Sequence, residues 1–279
     1  MAIKPAMVKE LRERTGAGMM DCKKALVESD GDLEAAAELL RKAGQAKADK
    51  KSGRVAAEGQ VLVKSDKGRH VVVEVNSETD FVANDENFRQ FADVVADAAL
   101  SSLPGSVDEL MSAKTNGQSV EEARQALITK VGENIAVRRF EILESNGTVG
   151  AYTHMGRIGV VVEMDGGDEA LARDIAMHIA ATAPQCVSRD DIPADQIDKE
   201  REILSAQALQ EGKPANIVEK MVEGRLRKFF DEVTLLGQPF VRNPDQTVGD
   251  LLRERKAGVR GFIRYAVGEG VDRSAAEVD

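Results

Sequence analysis

A chain of 279 residues, 42% hydrophobic and 31% charged, is long enough for more than one core, and it has no run approaching the roughly 20 apolar residues of a membrane span. With aromatics at 4% and no tryptophan, the core has to be aliphatic and rich in alanine. The net charge of −10 is uneven, with 12 Lys+Arg against 9 Asp+Glu in residues 1–54 and 26 against 39 in the rest, so the acidic body is a poor general binder of nucleic acid and the N-terminal stretch stands apart as a module.

Residues Met1 to Met7 hold no apolar signal core ahead of Lys9-Glu10, which predicts no export and a cytoplasmic location. Cys22 and Cys186 are far apart and in no CxxC pattern, so both are expected to be reduced. Pro5 suits the first turn of a helix reaching about Arg14, with Met7, Val8 and Leu11 on one face. Thr15-Gly16-Ala17-Gly18 breaks it. A second helix places Met19, Cys22, Ala25 and Leu26 together at helical spacing, with Met20 pointing away, either as an inconsequential exposed side chain or as a contact surface. Asp32 is a candidate N-cap for a third helix carrying Leu33, Ala36, Ala37 and Leu40. Three short helices resemble a ubiquitin-associated-type bundle. Ala46 to Arg54 reads as a basic, flexible linker, a solvated hinge rather than an RNA-binding strip because no aromatic residues interleave it.

From residue 55 the pattern changes. Gly59 to Lys64 alternates, Asp66-Lys67-Gly68 turns, and His70 to Val75 repeats the strand pattern. Asn76-Ser77-Glu78-Thr79-Asp80-Phe81-Val82-Ala83 then reads as a loop before a helix over Asn87 to Leu100, with Phe88, Phe91, Val94, Val95 and Ala98 on one side. Such turns favour small and polar residues, so Phe81 is either an anchor folded onto the core or a probe for something else. After a looser stretch around Pro104-Gly105, Val120 to Val131 is helical and Ala136 to Leu143 is a strand. The same grammar recurs in Val149 to His154, in Gly156 to Met164, which parallels Gly68 to Val75, and in the helix Glu169 to Ala183. We read two related α+β subdomains with antiparallel sheets. The second copy joins strand to helix through Asp165-Gly166-Gly167-Asp168-Glu169, so the longer stretch around Phe81 is not required by the architecture, and surplus loop on a scaffold is where function tends to sit.

Two charged helices, Ala194 to Glu211 and Ala215 to Phe230 around a Gly212-Lys213-Pro214 turn, form an αα-hairpin interrupting the second copy. Val241 to Leu252 resumes a compact pattern, and Gly261 to Gly268 is a final strand. No P-loop, HExxH or zinc-spaced Cys/His set is present, so neither cofactor nor metal is implied. His178 suits a satisfied histidine in an alanine-rich helix, and His154 a contact position at a strand end. Glu74 and Asp80 could pair as acid and base, but nothing sets a nucleophile or oxyanion site beside them, leaving an enzymatic reading without support. An adaptor or chaperone using residues 1–54 to hold peptides is the remaining rival.

Val8 to Leu26, reading VKELRERTGAGMMDCKKAL, and Glu74 to Ala83, reading EVNSETDFVA, resemble the two signatures of the elongation factor Ts family, in order and spacing. Gly156-Arg157-Ile158-Gly159-Val160 and Gly237-Gln238-Pro239-Phe240 fit as well, so the resemblance covers essentially the whole chain; Ser77-Glu78 stands where relatives often have Cys-Gln. The resemblance implies an exchange factor, not an enzyme, that promotes GDP release from elongation factor Tu and its replacement by GTP. It implies that Thr79, Asp80, Phe81 and Val82 dislodge Mg²⁺ in that partner, with Phe81 as wedge, Asp80 as polar disturber and Thr79 and Val82 holding the tip. It further implies partner contacts at Met19, Met20, Lys23 and His154, a homodimer or a 2:2 complex through the hairpin, and no direct nucleic-acid or membrane partner. The expected domains are 1–54 (bundle and linker), 55–143 (first subdomain), 144–186 with 236–263 (second subdomain), 187–235 (dimerisation hairpin) and 264–279 (C-terminal module).

Overall fold

The computed structural model of the chain describes residues 3–211 and 215–273; the turn expected at 212–214 and the last six residues of the expected C-terminal module lie outside them. The described helices and antiparallel strands make an α+β protein, and none of those helices is long and apolar enough to cross a membrane. Its contacts divide into two compact units, residues 1–143 with 155–158 and 265–279, and residues 144–154 with 159–264.

In the first unit, α1 (Pro5–Thr15), α2 (Met19–Glu28) and α3 (Leu33–Lys51) close over Leu11, Cys22, Leu26 and Ala36. Pro5 opens α1 and Gly16, at φ 68°, ends it; Asp32 caps α3 by accepting from the Glu34 and Ala35 N–H groups. Two expectations fail here. Met19 does not join the core of the bundle: its spacing puts it on the Cys22–Leu26 stripe, but burial along that stripe begins at Cys22 and Met19, at the first position of α2, is 58% exposed. The flexible linker is helix up to Lys51, since the Ala and Lys residues that make up most of 46–51 form helix readily once a face is buried. Ala48 is fully buried in the core of the following subdomain, and Gly44 lets α3 approach Thr129 so closely that a Cβ there would sit 3.0 Å from its hydroxyl.

Strands β1 (Glu58–Asp66) and β2 (Arg69–Ser77) pair antiparallel from Glu58–Ser77 to Asp66–Arg69. A single helical turn, α4 (Asp80–Ala83), precedes α5 (Glu86–Ser102), so the stretch read as loop is strand, cap and helix. Next come α6 (Val107–Ser112), the small hairpin β3 (Lys114–Thr115) and β4 (Gln118–Ser119), α7 (Val120–Val131) and β5 (Ile135–Glu144). The sheet order is β1-β2-β5, with β2 central. Val71, Val73 and Val75 line one face of β2 and meet Phe88, Phe91 and Val95 of α5. Removing the fully buried Phe88 ring would cost about 3–5 kcal/mol.

The second unit repeats this order of elements. Strands β6 (Thr148–His154) and β7 (Ile158–Asp165) lead to α8 (Glu169–Thr182). Helices α9 (Ala194–Gln210) and α10 (Ala215–Val233) intervene, followed by β8 (Pro239–Phe240), β9 (Asn243–Thr247), α11 (Val248–Glu254) and β10 (Gly258–Ala266). The sheet order β10-β7-β6 again puts the second strand of the hairpin in the centre and brings a later strand back beside it. Gly150 of β6 lies under α8, where a Cβ would meet Ala172 O at 2.2 Å. The pair α9–α10 packs on a core of its own, including Leu204, Val218, Leu226 and Phe230, while Ile203 and Leu209 remain exposed.

His178 of α8 is the satisfied histidine expected, and it lies in the core. It is fully buried, its Nε2 lies 2.9 Å from Gln238 Oε1, and its Nδ1 accepts the Val241 N–H at 3.2 Å. Accepting at Nδ1 fixes the neutral tautomer with the proton on Nε2. Burial lowers its pKa below the usual histidine value, an effect only partly offset by the bond to Gln238. Between that lowered value and about 6.5 the unfolded chain binds more protons, so stability rises with pH in that window and is lost as pH falls through it. Thermal melts from pH 7 down to pH 5 should show the wild-type midpoint falling, with a flatter profile for His178→Gln; equal slopes would refute this origin.

Candidate functional site

The four residues Thr79, Asp80, Phe81 and Val82 are assembled by the end of β2 and the single turn of α4. A four-residue helix cannot sustain itself, because nucleation fixes several dihedral angles for one hydrogen bond. Here the turn is held from both sides. Thr79, extended at φ −121° and ψ 157°, caps it by accepting the Val82 N–H, and Asn84 closes it by bonding Asp80 O through both its backbone N–H and its Nδ2 amide. Val82 and the buried Ala83 turn toward the core, which sends Asp80 and Phe81 outward. Phe81 is 84% exposed, so the core-anchor alternative falls. Asp80 is also exposed, and its carboxylate makes no hydrogen bond or ion pair among the described residues.

The support beneath this prong comes from far along the chain. Gly132, at φ 81°, ends α7 and turns the chain so that Glu133 and Asn134 face the end of β2. Glu133 accepts the Thr79 N–H at 3.0 Å and the Thr79 hydroxyl at 2.7 Å. In return the Glu78 carboxylate accepts the Asn134 N–H at 2.5 Å and faces Arg54 at 3.4 Å. Asn134 also donates to Arg54 O, Ser77 Oγ to Thr79 O, and Gln60 Nε2 to Ala83 O at 2.8 Å. Sequence reasoning missed Glu133, Asn134 and Gln60. The one signal was a carboxylate–amide pair directly behind a helix-ending glycine, and nothing local ties that pair to residues some 54 positions earlier.

Glu74 and Asp80 do not form an acid–base pair, because Glu74 is committed elsewhere. It is fully buried on the opposite face of β2 from Val71, Val73 and Val75, where it accepts from Arg139 Nε at 2.6 Å, Arg138 at 3.1 Å, Asn76 at 3.0 Å and the Gly268 N–H at 2.7 Å. Burial pushes its pKa up, but the Gly268 N–H, the Asn76 amide and the Arg139 guanidinium together hold it below the ordinary carboxylate value. Arg139 also stacks on Tyr265, 4.0 Å from the ring centre. Glu74 thereby fastens residues 265–269 to β2, the strand that leads into the prong.

The other candidate residues lie apart from this cluster. Met19, Met20 and Lys23 form an exposed patch at the start of α2, with Met20 75% exposed. His154, exposed at the end of β6 in the second unit, stacks on Tyr152, whose hydroxyl is 3.2 Å from its Nδ1. Among the described residues no group of three or more His, Cys, Asp or Glu side chains could hold a metal ion. The prong itself offers an exposed apolar ring beside an unpaired carboxylate.

Replacing Glu74 with Ala leaves two guanidinium groups without their buried counter-charge and the Gly268 N–H without its acceptor. The expected loss is about 3 kcal/mol, read by thermal or denaturant unfolding, with faster amide exchange over residues 265–269. Wild-type stability and protection would contradict the fastening role.

The family model for Elongation factor TS matches residues 78–269 of the chain. Proteins named Elongation factor Ts are similar over nearly the full length. That of Thioalkalivibrio sulfidiphilus is 60% identical over 277 residues, covering 98% of this chain and 94% of that protein. The Halorhodospira halophila protein is 59% identical over 275 residues with the same coverage, and that of Legionella pneumophila strain Paris is 55% identical over 274 residues, covering 97% and 94%.

Proposed function

Because the chain belongs to the elongation factor Ts family, we propose that it acts in translation elongation as a guanine nucleotide exchange factor, without covalent chemistry, by binding elongation factor Tu·GDP and promoting GDP release and its exchange for GTP. The observation that carries this reading is the braced, outward-facing Asp80-Phe81 pair. Mg²⁺ demands near-ideal octahedral geometry at about 2.0–2.1 Å and tolerates little displacement of its supports. Phe81 would enter between elements of the GTPase as an apolar wedge, and Asp80 would disturb the Mg²⁺ network and the phosphate site, with Thr79 and Val82 holding the tip. A factor that binds the nucleotide-free state more tightly than the GDP state weakens GDP by the same factor, since the coupling is reciprocal. The exposed Met19, Met20 and Lys23 patch and His154 would supply further contact area. Exposed Ile203 and Leu209 on the helical hairpin would serve a homodimer or a 2:2 assembly with the partner. The setting would be cytoplasmic.

Release of labelled GDP from elongation factor Tu should be accelerated by micromolar amounts of this protein; no acceleration would sink the proposal. The double change Asp80→Ala with Phe81→Ala should cut the saturating rate by ~100-fold, as for removal of a two-residue binding hot spot, with an unchanged melting midpoint. If Mg²⁺ displacement is the route, chelating Mg²⁺ should shrink the acceleration, because the step the factor promotes has already occurred. An acceleration untouched by chelation would assign the effect to the phosphate site alone.

A further inference from the structure

We infer that Glu133 is the positioning residue of the exchange prong: its carboxylate, by accepting both the Thr79 N–H and the Thr79 hydroxyl, sets the angle at which Asp80 and Phe81 leave the body. The inference rests on the proposed exchange role.

A one-turn helix has no direction of its own, so Phe81 can keep a fixed bearing only if the residue at the N-terminal end of the turn is fixed. That residue is Thr79. Its N–H and its hydroxyl proton are both taken by one carboxylate, at 3.0 and 2.7 Å, which leaves the hydroxyl oxygen free to accept the Val82 N–H at 3.3 Å. Glu133 therefore fixes the backbone of Thr79 and orients its cap in a single interaction. Bonds to an ionised acceptor are the stronger kind, and two bonds to one planar group fix direction as well as distance.

The base of Glu133 is equally constrained. Gly132 supplies the left-handed turn that only glycine adopts without strain, and Asn134 is buried and bonded to both Glu78 and Arg54. Neighbouring residues thus exchange donors across the gap, with Glu133 taking from Thr79 and Glu78 taking from Asn134. Glu133 fixes the direction of Thr79, and the Glu78–Asn134 bond holds the residue before it, so the end of β2 is gripped at two successive positions. Val82 and Ala83 hold the turn against the core but lie beyond the prong residues, so they cannot substitute for the fixation ahead of Asp80.

The test uses the full chain and measures GDP release from elongation factor Tu, both the rate at saturating factor and the concentration giving half of it. Glu133→Ala should lower the saturating rate ~10-fold, the equivalent of about one net hydrogen bond, while the half-saturating concentration moves less than about threefold, since most contact area is untouched. Glu133→Gln, which keeps one acceptor, should fall between. Glu133→Ala in a Phe81→Ala background should be no slower than Phe81→Ala alone, because a residue that acts only through the prong has nothing left to position. A purely structural residue would instead multiply its effect in both backgrounds, and that result would overturn the inference, as would a folded Glu133→Ala with the wild-type rate. Should Glu133→Ala fail to fold, Glu133→Gln and Thr79→Val carry the same comparison. A wild-type protein that does not accelerate release removes the exchange proposal and this inference with it; acceleration that depends on Phe81 but not on Glu133 removes the inference alone.

Discussion

The first subdomain depends on a strand that is buried on both faces. From Val71 to Ser77 every residue of β2 is buried, with valines against α5 on one side and Val72, Glu74 and Asn76 on the other. An apolar strand could satisfy that condition by packing alone. This one places a carboxylate with no exposed surface at its midpoint, and such a group is tolerated only when fully partnered. Arg138 and Arg139 of the neighbouring strand, the Asn76 amide and the Gly268 N–H meet the requirement. The carboxylate thus ties three separate pieces of chain to one register. A one-residue slip of β2 would put Glu74 among the valines and Val73 or Val75 against two guanidinium groups, so the polar cluster fixes register as firmly as the apolar one does.

A fixed β2 gives the prong a fixed origin. The strand ends at Ser77, and the next residues pass directly into the exchange of donors between Glu78–Thr79 and Glu133–Asn134. The two ends of the stretch are therefore anchored by different chemistry: Glu74 and Asn76 upstream inside the sheet, and Gln60 downstream through Ala83 O. Between them only the side chains of Asp80 and Phe81 project without support of their own. The exposed ring is the expensive feature, since it leaves large apolar area in water, and it persists because the residues on either side leave it no route back to the core.

Much of this was legible in the chain. Val120–Val131 is the helix that its spacing predicts, the strands around Asp66-Lys67-Gly68 pair as read, and the recurrence of Gly68 to Val75 in Gly156 to Met164 corresponds to two sheets with the same central strand. The candidate residues were named from the chain, but the way they are held was not. A single turn is too short to show a period, so Asp80–Ala83 read as loop. Glu133 lies in a helix-to-strand connection whose composition is ordinary, and its importance comes from a contact across the fold that no local pattern encodes. Met19 was misplaced because helical spacing defines a stripe but not where burial of that stripe begins, and along α2 it begins at Cys22. The end of α3 read as linker because its charges suggested solvent, whereas the buried Ala48 and the close approach at Gly44 decide the conformation.

The two copies also explain why the prong is rigid. In the second copy β7 reaches α8 through Gly166 and Gly167, both at positive φ, and the Asp168 cap. The first copy inserts a capped turn before its own capped helix, with Thr79 and Asp85 serving as successive caps. A flexible insertion of the same length would expose the same ring, but every encounter with a partner would then carry the entropy of ordering its backbone, about 1–2 kcal/mol per residue. Over the stretch from Thr79 to Ala83 that cost exceeds what a single aromatic contact returns. The caps, the Glu133 carboxylate and the Gln60 amide meet it during folding instead. The difference between the copies is therefore a whole pre-ordered element with its own bracing, and that bracing is what holds one exposed phenylalanine away from the core.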